Sequence, residues 1–355
     1  MRILVHEFVS GGGCAGHAVS ASLVREGLAM RTALVEDLSA IGGHEIVTTT
    51  DIRFNRPAPP GVDVVPILPG GGAVTLDALM ASADAVWLVA PETNRCLERL
   101  AARVERKGKT LVGPGAASIR RASDKGRLPR RLARVGIRHP ATIVLASGVD
   151  ARMAARRIGY PVVIKPWRGA GSQGVRLARN ARELRWALDA ARGAGRDATH
   201  DAAGASPLAT EHGLVMQCYV RGRAASVSLL ADGRRAVALA VNAQRVSASP
   251  DFCYRGGWTP FDHPLAAEAV DAAVRTCAAL PGLRGYVGVD LVLTDAEAVV
   301  IEVNPRLTTA YLGVRAALND NVAALALATC DGILPEQPVT VRRVRFTAAG
   351  QVACA

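Results

Sequence analysis

The sequence predicts an α/β protein in three parts: a doubly wound parallel domain over residues 1–113, a small α+β unit over 114–220 and a C-terminal α+β unit over 221–355. Three observations predict it. In the first third, apolar β-forming runs alternate with helix-period runs, the pattern of crossover units that build parallel sheets. The middle third reads strand–helix–strand–strand–helix–strand, too short for a large core and suited to a mobile lid. The last third carries two hairpin signals, at Asp232-Gly233 and around Asp295.

The elements follow in order. RILVHEFV is a strand, SGGGCAG a turn, and AVSASLVREGLAM a helix. RTALVEDL, VDVVPIL and ADAVWLVAP are strand candidates, and NRCLERLAARVERKG is an amphipathic helix before the strand TLVG. The GGG turn does not have the spacing of a dinucleotide fingerprint. ATIVLAS, YPVVIKPW, GVRLARN and LVMQCYV are the strands of the middle unit; VDARMAARRIG and NARELRWALDAARG are its helices. Residues 193–213, small and polar without periodicity, form a flexible loop. SVSLLADGRRAVALAVNAQRV and YVGVDLVLTDAEAVVIEVNPR form hairpins on either side of the helix LAAEAVDAAVRTCAAL. YRGGWTP reads as a glycine-rich loop, and VRAALNDNVAALALATC as a terminal helical stretch.

Composition narrows the function classes. No run approaches a membrane span, and MRILVHEFVSGGG lacks the charge and apolar pattern of a secretory leader, so a cytoplasmic protein without membrane partners is expected. Seven scattered cysteines without a CxxC spacing read as free thiols rather than a metal cluster. The net charge of +12 invites a nucleic-acid reading. However, the basic residues are spread along the chain, and the dense stretch 120–138 lacks interleaved aromatics for base stacking. No nucleic-acid partner is expected; a small anionic substrate needs only a local positive cleft.

The chemistry-bearing stretch is VVIEVNPR (299–306), an apolar strand with Glu302 and Asn304 two positions apart and therefore on one face. A buried carboxylate beside a buried amide is costly without a cation. With a turn near 294–298, Asp290 falls opposite about residue 302, which brings three oxygen donors together. Two carboxylates and an amide suit Mg²⁺ that shares its shell with phosphate oxygens and water. Upstream, VVIKPWRGAGSQGV (162–175) places Lys165 at a strand end, before Gly169, Gly171, Ser172, Gln173 and Gly174. Glycines let backbone N–H groups approach phosphate, and the lysine supplies a point charge. The order is not that of a Walker A loop. The histidines show no triad or zinc spacing.

Taken together, SDK (123–125), VVIKPWRGAGSQGV, VMQCYVRG (215–222), GVDLVL (288–293) and IEVNPR (301–306) resemble the ATP-grasp superfamily of carboxylate–amine ligases. The resemblance implies an ATP-grasp fold, with ATP held between the lid and the C-terminal catalytic domain. It implies phosphate contacts from Lys125 and Lys165 under a closing 169–174 loop, and adenine contacts from the backbone of Gln217, Cys218, Tyr219 and Val220. Asp290, Glu302 and Asn304 would hold one or two Mg²⁺, with Mn²⁺ as the alternative ion. Arg306 would face the transferring phosphoryl group and Lys165 would assist catalysis. Many members have a glutamate where Cys218 stands and another acid where Arg223-Ala224-Ala225 stands, so the resemblance assigns no ribose contacts here.

Finer features resemble the ligases that join the γ-carboxylate of L-glutamate to tyramine in methanofuran biosynthesis. These are ILVHEFVSGGG, APET (90–93), ASVSLLADGRRAVALAVNAQ, FCYRGGWTP and NPRLTTAY. On that reading Arg255 faces a substrate carboxylate, Trp258 and Tyr311 face an aromatic ring, and the partners are a small acid and a small amine. A homodimer stays open. The alternatives are a ligase for another acid and amine, or a nucleotide- or nucleic-acid-binding protein without turnover.

Overall fold

β1 (Arg2–Glu7) is the middle strand of a parallel sheet ordered β3-β2-β1-β4-β5, with β2 (Glu45–Asp51), β3 (Val62–Ile67), β4 (Ala85–Val89) and β5 (Thr110–Leu111). The computed structural model describes residues 1–146, 149–171, 173–197, 208, 213–248, 252–336 and 338–354. The expected flexible loop at 193–213 falls largely outside them, as does Ser172. Helices α1 (Ala21–Ile41), α2 (Gly72–Ser82) and α3 (Cys96–Arg106) cover the sheet. Among the described residues no helix is long and apolar enough to cross a membrane.

The first βα unit departs from the sequence expectation. RTALVEDL is the second half of α1, not a strand: Met30, Leu34 and Leu38 are buried at helical spacing. The helix ends only at Gly42 and Gly43, whose positive φ no other residue adopts cheaply. The strand comes next, as EIVTTTD. Its buried threonines hid it from a reading based on apolar runs.

α4 (Ala116–Ala122) and α5 (Leu128–Arg134) lead to the second sheet. That sheet has the order β6-β9-β7-β8, with β6 (Thr142–Leu145), β7 (Val162–Pro166), β8 (Arg176–Ala178) and β9 (Leu214–Cys218). α6 (Ala151–Ile158) and α7 (Ala181–Asp197) complete it, matching the predicted order of strands and helices. Its small core gathers Ala155, Val162, Ile164, Leu184 and Met216. Ala122, Leu128, Leu132 and Ile137, placed with this unit from sequence, bury instead against the third sheet.

The third sheet has the order β14-β13-β10-β11-β12-β15-β16. Its strands are β10 (Arg223–Asp232), β11 (Ala236–Ala248), β12 (Phe252–Thr259), β13 (Arg284–Leu293), β14 (Ala298–Asn304), β15 (Val344–Thr347) and β16 (Val352–Cys354). Both hairpins form where expected, and Asp232 caps the first turn by accepting from Arg234 N (2.8 Å) and Arg235 N (2.7 Å). YRGGWT is not a loop but the last six residues of β12, and Pro260 follows the strand. A side chain at Gly257 would meet the Ala243 carbonyl, and one at Gly256 that of Phe346; the glycines let β11 and β15 approach. α8 (Ala266–Ala278) packs on one face of the sheet. The terminal helical stretch breaks into α9 (Tyr311–Ala317) and α10 (Val322–Cys330), the second capped by Asn321. These two helices share a core with α1 and the first sheet, which joins the two ends of the chain.

Candidate functional site

The hairpin β13–β14 builds one wall of the site. Asp290 stands directly opposite Glu302, and Gly288 opposite Asn304. Asn304 donates to Asp290 Oδ2 (2.9 Å), and Gln244 of β11 donates to Oδ1 (2.8 Å). Burial first, and then the neighbouring Glu302 carboxylate, push the Asp290 acid up to about 7. Burial acts in the same sense on Glu302, but Lys125 and Lys165 outweigh it and hold that acid below its usual range.

Those two lysines come from different elements. Lys165 ends the buried strand β7, and its Nζ lies 3.8 Å from Glu302 Oε2. Burial, opposed by Glu302, lowers its basicity to about 8. Lys125, between α4 and α5, lies 3.3 Å from the same oxygen and donates to the Gly169 carbonyl (2.7 Å). A cavity of about 180 Å³ separates the second and third sheets here. Lys125, Lys165, Gly169, Gln173, Asp290 and Glu302 line it, as do Gln217, Cys218, Tyr219 and Val220. Val163, Val246, Phe252, Leu291 and Ile301 add apolar walls, as a flat heterocycle requires. The hinge strand is already engaged within the protein: Gln217 pairs with Thr142 and Val163 in the sheet, Cys218 N donates to the Ala141 carbonyl and Tyr219 N to the Pro161 carbonyl. The Gln217 side chain donates to Thr142 Oγ1 (2.9 Å).

The donor set fits a hard cation. Among the described residues no three His, Cys, Asp or Glu side chains cluster. Asp290, Glu302 and Asn304 therefore form an incomplete oxygen set, the kind that Mg²⁺ completes with phosphate and water. Two half-buried carboxylates face to face, one of them with its acid raised to about 7, are also a pair that a divalent ion would relieve.

Arg306 sits deeper, over a second cavity. Its Nε and Nη2 donate to the Glu92 carboxylate (3.0 and 3.2 Å), and its Nη1 to the Leu307 carbonyl (3.0 Å). This cavity opens at the ends of β1 and β4, between Glu7, Val9, Val89, Ala90 and Pro91, with Leu23, Glu26 and Met30 from α1. Gly171 and Gln173 of the glycine loop form its roof. It lies where the strand order of the parallel sheet reverses, the usual ligand position in such sheets.

The three expected substrate contacts are not brought to either cavity. Trp258 pairs with Ala243, one residue out of phase with Gln244, so the sheet's alternation turns it to the opposite face. There it packs edge-on against Phe261. Arg255 is exposed on β12. Tyr311 is fully buried, with its hydroxyl donating to Asp37 and its ring against Tyr286. Gly174 supports the glycine loop (φ 69°) without lining a cavity.

Sequence reasoning gave no site role to Gln244, Glu92 or Thr93, although APET (90–93) is one of the stretches that carry the resemblance. Gln244 was detectable, since Asn242 and Gln244 repeat in β11 the period-two polar pattern of Glu302 and Asn304. Glu92 and Thr93 lie in a short connection with no such pattern.

Comparison with known proteins agrees with this geometry. An ATP-grasp domain profile matches residues 122–310, and a pre-ATP-grasp profile matches residues 44–119. The chain is 33% identical over 105 residues to the tyramine–L-glutamate ligase of Methanocaldococcus fervens, covering 30% of this chain and 34% of that protein. It is 26% identical over 243 residues to the carbamoyl phosphate synthase large chain of Halomonas eurihalina, covering 67% of this chain and 21% of that protein. The matches span less than half the length of these curated relatives. The fold superposes on an ATP-grasp superfamily protein of Archaeoglobus fulgidus with a TM-score of 0.68 and 23% identity, over 97% of this chain and 92% of that one. With the ATP-grasp profile spanning more than half of its length and the lysine–carboxylate cavity between two sheets, this chain belongs to the ATP-grasp family.

Proposed function

We propose that the protein is an ATP-dependent carbon–nitrogen ligase that activates a carboxylate as an acyl phosphate and joins it to an amine, releasing ADP and phosphate. One observation carries this reading: Lys125, Lys165, Asp290 and Glu302 converge on a single cavity that also has apolar walls and a strand-end hinge. ATP would lie there, its base between Val163 and Leu291 near the hinge and its phosphates toward the two lysines. Asp290, Glu302 and Asn304 would hold Mg²⁺, which supplies charge neutralisation for phosphoryl transfer when bound. The lid is the unit built on the second sheet, and its glycine loop spans both cavities.

The chain's own groups have separable roles. Lys165 and Lys125 draw the phosphates into line, and Gly169 and Gln173 exclude water from above them. Arg306 has five N–H donors, three of which serve Glu92 and Leu307; two remain on a side chain that lines the second cavity. They would stabilise charge developing on the transferred group and on the acyl phosphate. The acid and the amine would meet in that cavity, between Arg306 and the apolar side chains of Leu23, Met30 and Val89.

The acid and amine are, on our reading, the γ-carboxylate of L-glutamate and tyramine. The 33% identity to a tyramine–L-glutamate ligase supports this choice. The test is direct. With ATP, Mg²⁺, L-glutamate and hydroxylamine, γ-glutamyl hydroxamate and ADP should form; with tyramine in place of hydroxylamine, γ-glutamyltyramine. Hydroxamate from another acid alone would discard glutamate and keep the ligase. No ADP with any acid and amine would end the enzyme reading.

A further inference from the structure

The APET turn (90–93) joins the end of β4 to α3, and its last two side chains, Glu92 and Thr93, reach two different parts of the site. Glu92, almost fully buried, holds Arg306 through a bidentate pair. The adjacent Thr93, also buried, accepts on its hydroxyl the N–H of Ala170 in the glycine loop (3.3 Å). The next two residues, Asn94 and Arg95, both adopt left-handed backbone angles (φ 48° and 56°) although neither is glycine. Such conformations are strained and persist where the surroundings hold them. The surroundings are visible: Arg95 N donates to the Glu92 carbonyl (3.1 Å), Leu97 N to the Pro91 carbonyl (3.1 Å), and the Arg95 side chain grips Glu98. Just before this strained pair, consecutive side chains reach the arginine and the glycine loop.

We propose that Glu92 is a positioning residue for Arg306, and that the turn 91–93 ties the arginine's orientation to the seating of the glycine loop. The inference rests on the proposed ATP-dependent activity. A bidentate carboxylate fixes the plane of a guanidinium where a single hydrogen bond leaves it free to rotate. The loop is held at adjacent residues, by Lys125 at the Gly169 carbonyl and by Thr93 at the Ala170 N–H. Seating the loop over the phosphates and presenting Arg306 are therefore linked through a rigid turn of the N-terminal sheet.

Two variant pairs test this, with kinetics of ADP release and tryptic cleavage after Arg168 or Arg176 with and without the Mg²⁺ complex of a non-hydrolysable ATP analogue. Glu92→Gln should lower kcat by about ten- to a hundredfold, while KM for ATP stays within about twofold. Glu92→Asp should recover part of the loss. Thr93→Val should raise KM for ATP and lose the protection that the analogue gives the loop, while Thr93→Ser keeps both. The proposal is overturned if Glu92→Gln leaves kcat unchanged, or if Thr93→Val is protected like the wild type. Should Glu92→Gln fail to fold, the Thr93 pair decides. If the wild type releases no ADP with any acid, the ligase reading fails, and the protection assay alone still decides the loop half of the proposal.

Discussion

Glu302 and its neighbours show how much chemistry one side chain carries. Lys125 and Lys165 both lie within ion-pair reach of Glu302 Oε2, so one carboxylate organises two cations and the oxygen face. Glu302→Gln should lower ADP release by about a hundred- to a thousandfold, because an amide cannot neutralise a divalent cation or anchor two lysines. Asp295→Asn, an exposed position in the same hairpin, should be silent in the same assay. Equal effects would mean that the oxygen face has been misplaced. On the proposed function, Lys165→Ala should remove a charge-assisted phosphate contact of about 2 kcal/mol, read as at least a tenfold loss in kcat/KM for ATP. The chain has only four lysines, and two of them meet at this carboxylate, each a compact point charge rather than a planar fork.

At the scale of elements, the glycine loop and β1 give opposite lessons. Gly171 has φ 66° with nothing within 4 Å of where a Cβ would stand, so backbone strain rather than crowding limits it. Gly171→Val should cost about 1–2 kcal/mol of loop conformation and raise KM for ATP. Gly171→Asn, which tolerates this region, should behave nearly as the wild type. In β1 the constraint is burial. The His6 imidazole donates to or accepts from Thr49 Oγ1, and burial, reinforced by Arg103 and Arg31, lowers its basicity to about 3. In the unfolded chain it takes up a proton near pH 6.5. The stability present above that pH is therefore lost as the pH falls toward 3, by about 2 kcal/mol at pH 5. Urea unfolding at pH 7 and pH 5 should show this loss in the wild type and a smaller one in His6→Asn; equal losses would assign the acid sensitivity elsewhere.

Across the whole molecule, the two ends of the chain are locked together beneath the site. Tyr311 and Arg315 of α9 both bond Asp37 of α1, and the surrounding cluster mixes residues of the first and third sheets. The second cavity has β1 and α1 on one side and Arg306 on the other, so the helix held by this contact also lines it. Tyr311→Phe should lower Tm by removing about 1–2 kcal/mol, since Arg315 still partners Asp37, and should leave KM for every substrate unchanged. A raised KM for the amine with unchanged Tm would return Tyr311 to the substrate site.

The sequence by itself determined the features that depend on local order. Period-two alternation and a turn at 294–298 place Asp290 opposite Glu302, and the strands and helices of the second sheet follow from short apolar runs and glycine punctuation. Helix length in α1 was not legible, because Val, Leu and Thr at 32–38 suit a strand until tertiary burial at helical spacing overrides that preference. Nor was the face of Trp258 legible. That depends on the partner strand's register, and a shift of one residue reverses every side chain. Only the tertiary structure decided that Glu92 reaches Arg306 across 214 positions of sequence. A contact between a short turn and a strand end leaves no periodic trace, since nothing local requires it; it exists because the first and third sheets pack with their chemistry-bearing edges together.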